Sequence, residues 1–142
     1  MIQIVVVAHG GLADELVGSV EMIIGSAPGL YPVGLTPSEN LEEYERKVTD
    51  AIAKVAADNA NDGIIILADM FGGSCANVGA KIVSDYGAGN IAVITGVNLP
   101  MLLDTIVNRD VLNFDDLKKK ILDAGSRSIV DMSQLERKNV GQ

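Results

Sequence analysis

The chain has 142 residues, 48% of them hydrophobic, which is enough for one domain whose core needs no disulfide or structural metal. Nineteen acidic and eleven basic side chains give a net charge of −8, which argues against binding to nucleic acid or to a membrane surface. Cys75 is the only cysteine, so an internal disulfide is excluded and a reducing cytoplasm is the expected location.

Short apolar runs alternate with helical patterns along the first three quarters of the chain. Most of these runs are continuously aliphatic, as in strands buried on both faces of a parallel sheet. Thr36-Pro37-Ser38-Glu39 has the form of a capping box and places the start of the second helix between Thr36 and Leu41. In chain order the predicted elements are strand Ile2–Ala8, helix Leu12–Ile24, strand Leu30–Leu35, helix Leu41–Ala57, strand Ile64–Ala68, helix Ser74–Ser84, strand Ile91–Thr95 and helix Met101–Val107.

The last 30 residues of the chain predict one more helix and one more strand. The helix begins at Asn113, carries early acids and late lysines as the helix dipole favours, and ends at Gly125. A short strand follows at Ser128–Met132, and then a polar tail, Ser133–Gln142. The predicted fold is α/β: a single three-layer domain, residues 1–132, with an open, doubly wound, mainly parallel sheet of four strands and a C-terminal edge strand.

The loops after the predicted strands are the places to search for a functional site, because ligands of open parallel sheets collect at the carboxyl ends of strands. His9, the only histidine, follows the first strand, and Asp69 follows the third. A carboxylate that accepts the Nδ1–H of an imidazole fixes its tautomer and leaves Nε2 as a free nucleophile. We therefore single out His9 and Asp69 as a catalytic pair, although a lone histidine is more often structural.

Gly72-Gly73-Ser74 opens the third helix and offers backbone N–H groups and a hydroxyl to an anion. The alternative is an ordinary tight turn in which Ser74 is the N-cap. No dinucleotide-binding or P-loop motif occurs, and the hydrolase motif G-x-S-x-G fails because Ala76 replaces its last glycine. One histidine and one cysteine far apart in sequence supply no metal ligand set, so no metal is expected.

Ala8-His9-Gly10, Asp69-Met70-Phe71-Gly72-Gly73-Ser74 and Gly96-Val97-Asn98-Leu99-Pro100-Met101-Leu102 together resemble the enzyme IIA domain of the mannose family of the bacterial sugar phosphotransferase system. Members of this family accept a phosphoryl group on a histidine from the phosphocarrier protein HPr and pass it to a IIB domain during sugar uptake through membrane components IIC and IID. The family often has a proline after the serine, where this chain has Cys75.

The resemblance implies roles for individual residues. His9 is the phosphorylated residue, Asp69 orients it, and Gly10, Gly72, Gly73 and Ser74 contact the phosphoryl group, without metal or other cofactor. A docking surface for HPr and IIB is expected around His9, with Met70, Phe71, Met101 and Leu102 as candidates, although Met101 and Leu102 suit a core equally well. Relatives form dimers in which a terminal strand crosses over, so a homodimer is expected. Strand Ser128–Met132 pairs either antiparallel within its own sheet or with the sheet of the partner.

Three other functions remain open. The related phosphoryl-carrier subunit of dihydroxyacetone kinase is similar, but the F-G-G-S and N-L-P-M-L segments fit the sugar family better. A flavodoxin-like module could hold an anion at the same place without chemistry. A hydrolase built from Ser74, His9 and Asp69 is disfavoured by the failed G-x-S-x-G motif. The transported sugar is not readable from the chain, because specificity resides in the membrane component.

Overall fold

The computed structural model describes residues 1–59, 62–87 and 89–135 and forms the predicted α/β fold. Strands and helices alternate as the apolar pattern predicts, and the bounds of most elements agree within a few residues. The elements are β1 Gln3–His9, α1 Leu12–Ile24, β2 Leu30–Leu35, α2 Leu41–Asn59, β3 Ile64–Ala68, α3 Ser74–Tyr86, β4 Ile91–Ile94, α4 Leu99–Asn108, α5 Phe114–Arg127 and a short 3-10 helix, Met132–Gln134.

The four strands form one parallel sheet in the order β2-β1-β3-β4. β1 lies inside the sheet, with β2 on one side and β3 on the other, so the strand order reverses between β1 and β3. Val7 pairs with Ala68, and the Asp69 N–H donates to the Val7 carbonyl at 3.1 Å. This register brings the residues that follow Val7 and Ala68 to the same edge of the sheet.

Helices cover both faces of the sheet and bury two apolar layers. Side chains alternate along β1: Ile4, Val6 and Ala8 pack in the layer that contains α1, α4 and α5. Val5 and Val7 pack in the opposite layer with α2 and α3. Burial on both faces explains why the strands have continuous rather than alternating apolar sequences.

The helix ends differ from the predicted capping at two points. Thr36 and Glu39 do bond each other, but they close a turn, and Asn40 caps α2 by accepting from the Glu43 N–H at 2.8 Å. Asn113 caps α5 as expected, by accepting from the Asp116 N–H at 2.8 Å. Gly125 does not end α5: it lies inside the helix, where an added Cβ would be 2.6 Å from the Met101 methyl group.

The predicted strand Ser128–Met132 is absent from the described part of the chain. Ser128 lies in a turn after α5, residues 129–131 have no regular secondary structure, and a 3-10 helix begins at Met132. A strand needs a neighbouring strand, and this segment makes no backbone hydrogen bond to the edge strands β2 and β4. Ile129, Val130 and Met132 are exposed instead. Residues 136–142 of the predicted tail lie outside the described residues.

None of the helices in these described ranges combines the length and the apolar character that crossing a membrane requires.

Candidate functional site

His9 is the last residue of β1 and the first of that strand to leave the interior. The residues from Gln3 to Ala8 are buried, whereas the His9 side chain is 47% exposed. Gly10 follows with φ of +60°, a left-handed turn that glycine adopts without strain. On the neighbouring strand, a Cβ at Gly34 would lie 2.6 Å from the Gly10 carbonyl oxygen. Glycine at position 34 therefore allows the His9–Gly10 turn to lie directly against β2.

Asp69 follows β3 and binds His9 twice. Its Oδ2 lies 2.6 Å from His9 Nδ1 and accepts the His9 backbone N–H at 2.9 Å. Its Oδ1 accepts the Met70 N–H at 2.9 Å. Burial alone raises the pKa of the Asp69 carboxyl, but the hydrogen bonds from His9 and Met70 outweigh burial and hold that pKa below the ordinary aspartate value. Asp69 is therefore ionised over the physiological pH range.

This geometry prepares the imidazole for nucleophilic chemistry. A carboxylate at hydrogen-bond distance from Nδ1 favours the neutral tautomer with the proton on Nδ1, which leaves a lone pair on Nε2. Nε2 makes no hydrogen bond within the described residues, so it is available to an incoming group. The same carboxylate stabilises positive charge on the ring when a bond forms at Nε2.

The start of α3 lies beside the His9 ring. Gly72 has φ of +79°, and a Cβ on Gly73 would be 3.4 Å from His9 Cε1 and 3.0 Å from Met70 Cγ. Gly73 is the N-cap and Ser74 is the first helical residue, so the alternative that made Ser74 the N-cap is wrong. The first N–H groups of a helix have no partner within it, and they present positive partial charge at this end.

Cys75 is the site residue that the sequence argument missed. Its buried Sγ lies 3.7 Å from His9 Nδ1, and one ligand atom each from His9, Asp69 and Cys75 fall within 4.8 Å of one another. Burial raises the pKa of the Cys75 thiol, and the negative charge of Asp69 raises it further. A hydrogen bond with Tyr44 lowers this pKa but does not outweigh the other two effects. His9 and Cys75 are far apart in the sequence, but the turn at Gly72 and Gly73 brings Cys75 back to His9 in the fold. Its position directly after Ser74 was the available signal.

The four docking candidates separate into two exposed and two buried residues. Met70 is 55% exposed and Phe71 is 88% exposed, beside the site. Phe71 also borders an open, largely apolar pocket of about 440 Å³. Met101 and Leu102 are buried in the layer with α1 and α5, so their assignment to a docking surface is wrong. They lie in the first turn of α4, which turns them inward.

Asn98, from the same N-L-P-M-L segment, has a structural explanation. Its side chain accepts the Met101 N–H at 2.9 Å as the N-cap of α4. The Asn98 amide also donates to the Gly125 carbonyl at 3.4 Å, which ties α4 to α5. This segment therefore stabilises the helical layer rather than supplying reactive groups.

The hydrolase alternative needs a hydroxyl that donates to His9. Ser74 makes no hydrogen bond to His9 in the structure as described, so a Ser–His–Asp relay is not assembled. His9 and Asp69 are in place, but the third member is not.

Comparison with known proteins matches the chain to one family. Residues 3–122 match the family model EIIA-man, described as the PTS system fructose IIA component. The chain is 33% identical over 129 residues to the PTS system mannose-specific EIIAB component of Escherichia coli (strain K12), and this match covers 90% of the chain and 38% of that protein. The chain therefore spans well under half the length of that relative.

Two further matches have lengths similar to this chain. The PTS system sorbose-specific EIIA component of Lacticaseibacillus casei is 30% identical over 120 residues, which cover 84% of this chain and 83% of that protein. Among solved structures, the phosphotransferase system component EIIA from Streptococcus agalactiae superposes with a TM-score of 0.83 and 29% identity, over 95% of this chain and 100% of that one.

Proposed function

The chain belongs to the EIIA-man family of IIA components of the sugar phosphotransferase system, and on that premise we propose that it is a phosphoryl carrier that works through His9. It accepts a phosphoryl group from phospho-HPr on Nε2 and passes it to a IIB domain, upstream of the membrane components IIC and IID. The observation that carries the proposal is the 2.6 Å contact between His9 Nδ1 and Asp69 Oδ2 on a half-exposed imidazole.

The proposed transfer is an in-line displacement at phosphorus. The Nε2 lone pair forms a new N–P bond while the N–P bond of the donor phosphohistidine breaks and its electron pair returns to the donor nitrogen. The His9 ring becomes cationic, and its Nδ1–H stays bonded to the Asp69 carboxylate. The donor is already activated, so positioning and electrostatics are sufficient and the proposal invokes no metal or other cofactor.

We assign the phosphate contacts to the start of α3 and to the turn after β1. Gly73 lies beside the His9 ring at the positive end of the α3 dipole, so the backbone N–H groups of Gly72 and Gly73 and the hydroxyl of Ser74 are the proposed donors. Gly10, exposed in its left-handed turn, leaves room for the phosphoryl oxygens, since a Cβ there would contact nothing within 4 Å.

The exposed side chains of Met70 and Phe71 are the proposed docking surface for HPr and IIB. Both residues follow Asp69 in the loop that carries the site, and exposed apolar groups of this size are typical anchors of protein interfaces. The net charge of −8 makes a nucleic-acid partner unsuitable. The proposed location is the cytoplasm, where the sugar phosphotransferase partners operate.

The homodimer also remains a proposal. Ile129, Val130 and Met132 are exposed in the single chain, and pairing of this segment with a partner's sheet would bury them. Light scattering tests this on the intact chain and on a version that ends at Ser128. A dimer that becomes monomeric on truncation supports exchange of this segment, and a monomeric intact chain refutes it.

The carrier proposal is tested by incubating the protein with phosphoenolpyruvate, enzyme I and HPr and then measuring the intact mass. We expect one acid-labile phosphoryl group on the wild type and none on His9→Ala. Subsequent addition of IIB should discharge the phosphoprotein. Labelling that persists in His9→Ala overturns the assignment. Discharge only to a dihydroxyacetone kinase subunit favours that alternative, and no labelling at all favours a flavodoxin-like anion-binding module.

A further inference from the structure

The site holds a thiol that the phosphoryl carrier does not need. We propose that His9, Asp69 and Cys75 form a binding site for Zn²⁺, and that bound zinc prevents His9 from accepting a phosphoryl group. The metal site is argued from the geometry of the three side chains alone. Its effect on phosphoryl transfer rests on the function proposed above.

The three side chains supply the donor atoms that zinc prefers. Imidazole nitrogen, carboxylate oxygen and thiolate sulfur are its usual protein ligands. Zinc bonds of about 2.0 Å to nitrogen and about 2.3 Å to sulfur in a tetrahedron place N and S about 3.5 Å apart. His9 Nδ1 and Cys75 Sγ are 3.7 Å apart without any adjustment. Asp69 Oδ2, now 2.6 Å from Nδ1, must withdraw by less than about 1 Å, which lengthens the hydrogen bond that it accepts from the His9 backbone N–H. The three ligand atoms all lie within 4.8 Å of one another before any metal binds.

Burial and exposure also suit a metal with an open position. Cys75 is fully buried and the Asp69 side chain is only 10% exposed, so these two ligands are held by the packed site. Three protein ligands leave one position of a tetrahedral zinc site for water, and the half-exposed His9 side chain lies at the solvent edge of the cluster. The packing of Cys75 against the α2 layer keeps its sulfur near the imidazole.

Zinc binding releases one proton. The Cys75 thiol loses its proton to bulk water and binds as thiolate, while the Nδ1 proton of His9 is exchanged through solvent for a proton on Nε2. The charges of the metal, one carboxylate and one thiolate then sum to zero. Because binding releases a proton, the affinity for zinc should increase as the pH rises.

The exchange of tautomer makes zinc and phosphoryl group mutually exclusive, although they bind different nitrogens. With zinc on Nδ1, the neutral imidazole keeps its single proton on Nε2 and has no lone pair for phosphorus. With a phosphoryl group on Nε2, the Nδ1–H remains bonded to Asp69 and has no lone pair for a metal. Zinc therefore blocks phosphorylation, and phosphorylation blocks zinc.

The test begins with Co²⁺, a spectroscopic substitute for zinc. Titration of the wild-type chain should give a thiolate-to-cobalt charge-transfer band at one metal per chain, and Zn²⁺ should remove it by competition. Cys75→Ala should lack the band and bind zinc at least about tenfold more weakly. Cys75→Ser provides a second variant if the alanine side chain loosens the packing of α3. Absence of the band in the wild type, or a zinc affinity equal to that of the wild type in both Cys75 variants, overturns the site.

The second stage measures phosphorylation by purified phospho-HPr with and without Zn²⁺. At a zinc concentration of about ten times the wild-type Kd, we expect labelling of the wild type to slow about tenfold and labelling of Cys75→Ala to slow by no more than about twofold, each relative to its own metal-free rate. The variant also controls for effects of zinc on the donor. Equal inhibition of both proteins refutes the blocking role. Failure of the metal-free wild type to be labelled refutes the phosphoryl carrier while the cobalt result still decides the metal site.

Discussion

The substitution Asp69→Asn separates an orienting carboxylate from a merely structural one. Asp69 Oδ2 accepts two hydrogen bonds from His9, and Oδ1 accepts one from the Met70 N–H. An asparagine has one oxygen and one NH₂ group in these places. If the NH₂ faces His9, it favours the tautomer with the lone pair on Nδ1 and removes the nucleophile from Nε2. If the NH₂ group faces Met70, it meets the Met70 backbone N–H, and two hydrogen-bond donors then point at each other without an acceptor.

The magnitude follows from the charge that develops during transfer. The His9 ring becomes cationic, so the contact at 2.6 Å turns into a bond between two charged groups. A hydrogen bond to a charged group contributes about 1.5–3 kcal/mol, and about 1.4 kcal/mol corresponds to a tenfold change in rate. We expect Asp69→Asn to slow phosphoryl acceptance by about 10- to 150-fold.

Rapid mixing with purified phospho-HPr under single-turnover conditions measures this rate. Asp50→Asn is the matched control, because Asp50 carries the same charge on the exposed face of α2 and no hydrogen bond or ion pair of its side chain occurs among the described residues. Asp50→Asn should react at the wild-type rate. Urea unfolding of both variants establishes that the folded fraction is equal in the assay. A wild-type rate in Asp69→Asn would refute the orienting role.

Three further predictions concern docking, packing and pH. Phe71→Ala should weaken the interaction with HPr, which a higher KM for phospho-HPr would show. Because the Phe71 side chain is exposed, the free energy of unfolding should change by less than about 0.5 kcal/mol. An unchanged KM contradicts the docking surface. Leu102→Ala should lower the free energy of unfolding by about 2–5 kcal/mol in a urea titration, while the KM of the folded protein stays the same. The pKa of the Asp69 carboxyl is lower in the folded chain than in the unfolded chain, so its ionisation stabilises the fold fully above the ordinary aspartate pKa of about 3.9, and this stabilisation is lost as the pH falls through the folded pKa. The difference in free energy of unfolding between wild type and Asp69→Asn should therefore narrow below about pH 4. A difference that grows there contradicts the lowered pKa.

Local patterns in the sequence were sufficient for most of the elements and for the contact between His9 and Asp69. Continuous aliphatic runs predicted strands buried on both faces, and the structure confirms the parallel sheet. The prediction that Asp69 reaches His9 needed only the rule that parallel strands end at one edge of the sheet. That rule was sufficient because β1 and β3 are neighbours, so each strand end lies next to the other.

The remaining features depend on contacts between segments far apart in sequence. Cys75 meets His9 through the turn at the start of α3, and Gly34 makes room for Gly10 across two strands. Met101 and Leu102 follow a loop at the functional edge, but the packing of α4 against α5 buries them. Apolar content alone does not distinguish a docking residue from a core residue, because both classes have the same side chains and differ only in what covers them.

The C-terminal segment shows the same limit for strands. Ser128–Met132 has the β-branched and aliphatic residues of a strand, and its sequence predicts one. In the single chain it remains without a strand partner among the described residues. Helices satisfy their backbone hydrogen bonds within one segment, so local sequence determines them here, whereas a strand exists only where the tertiary or quaternary structure places another strand beside it.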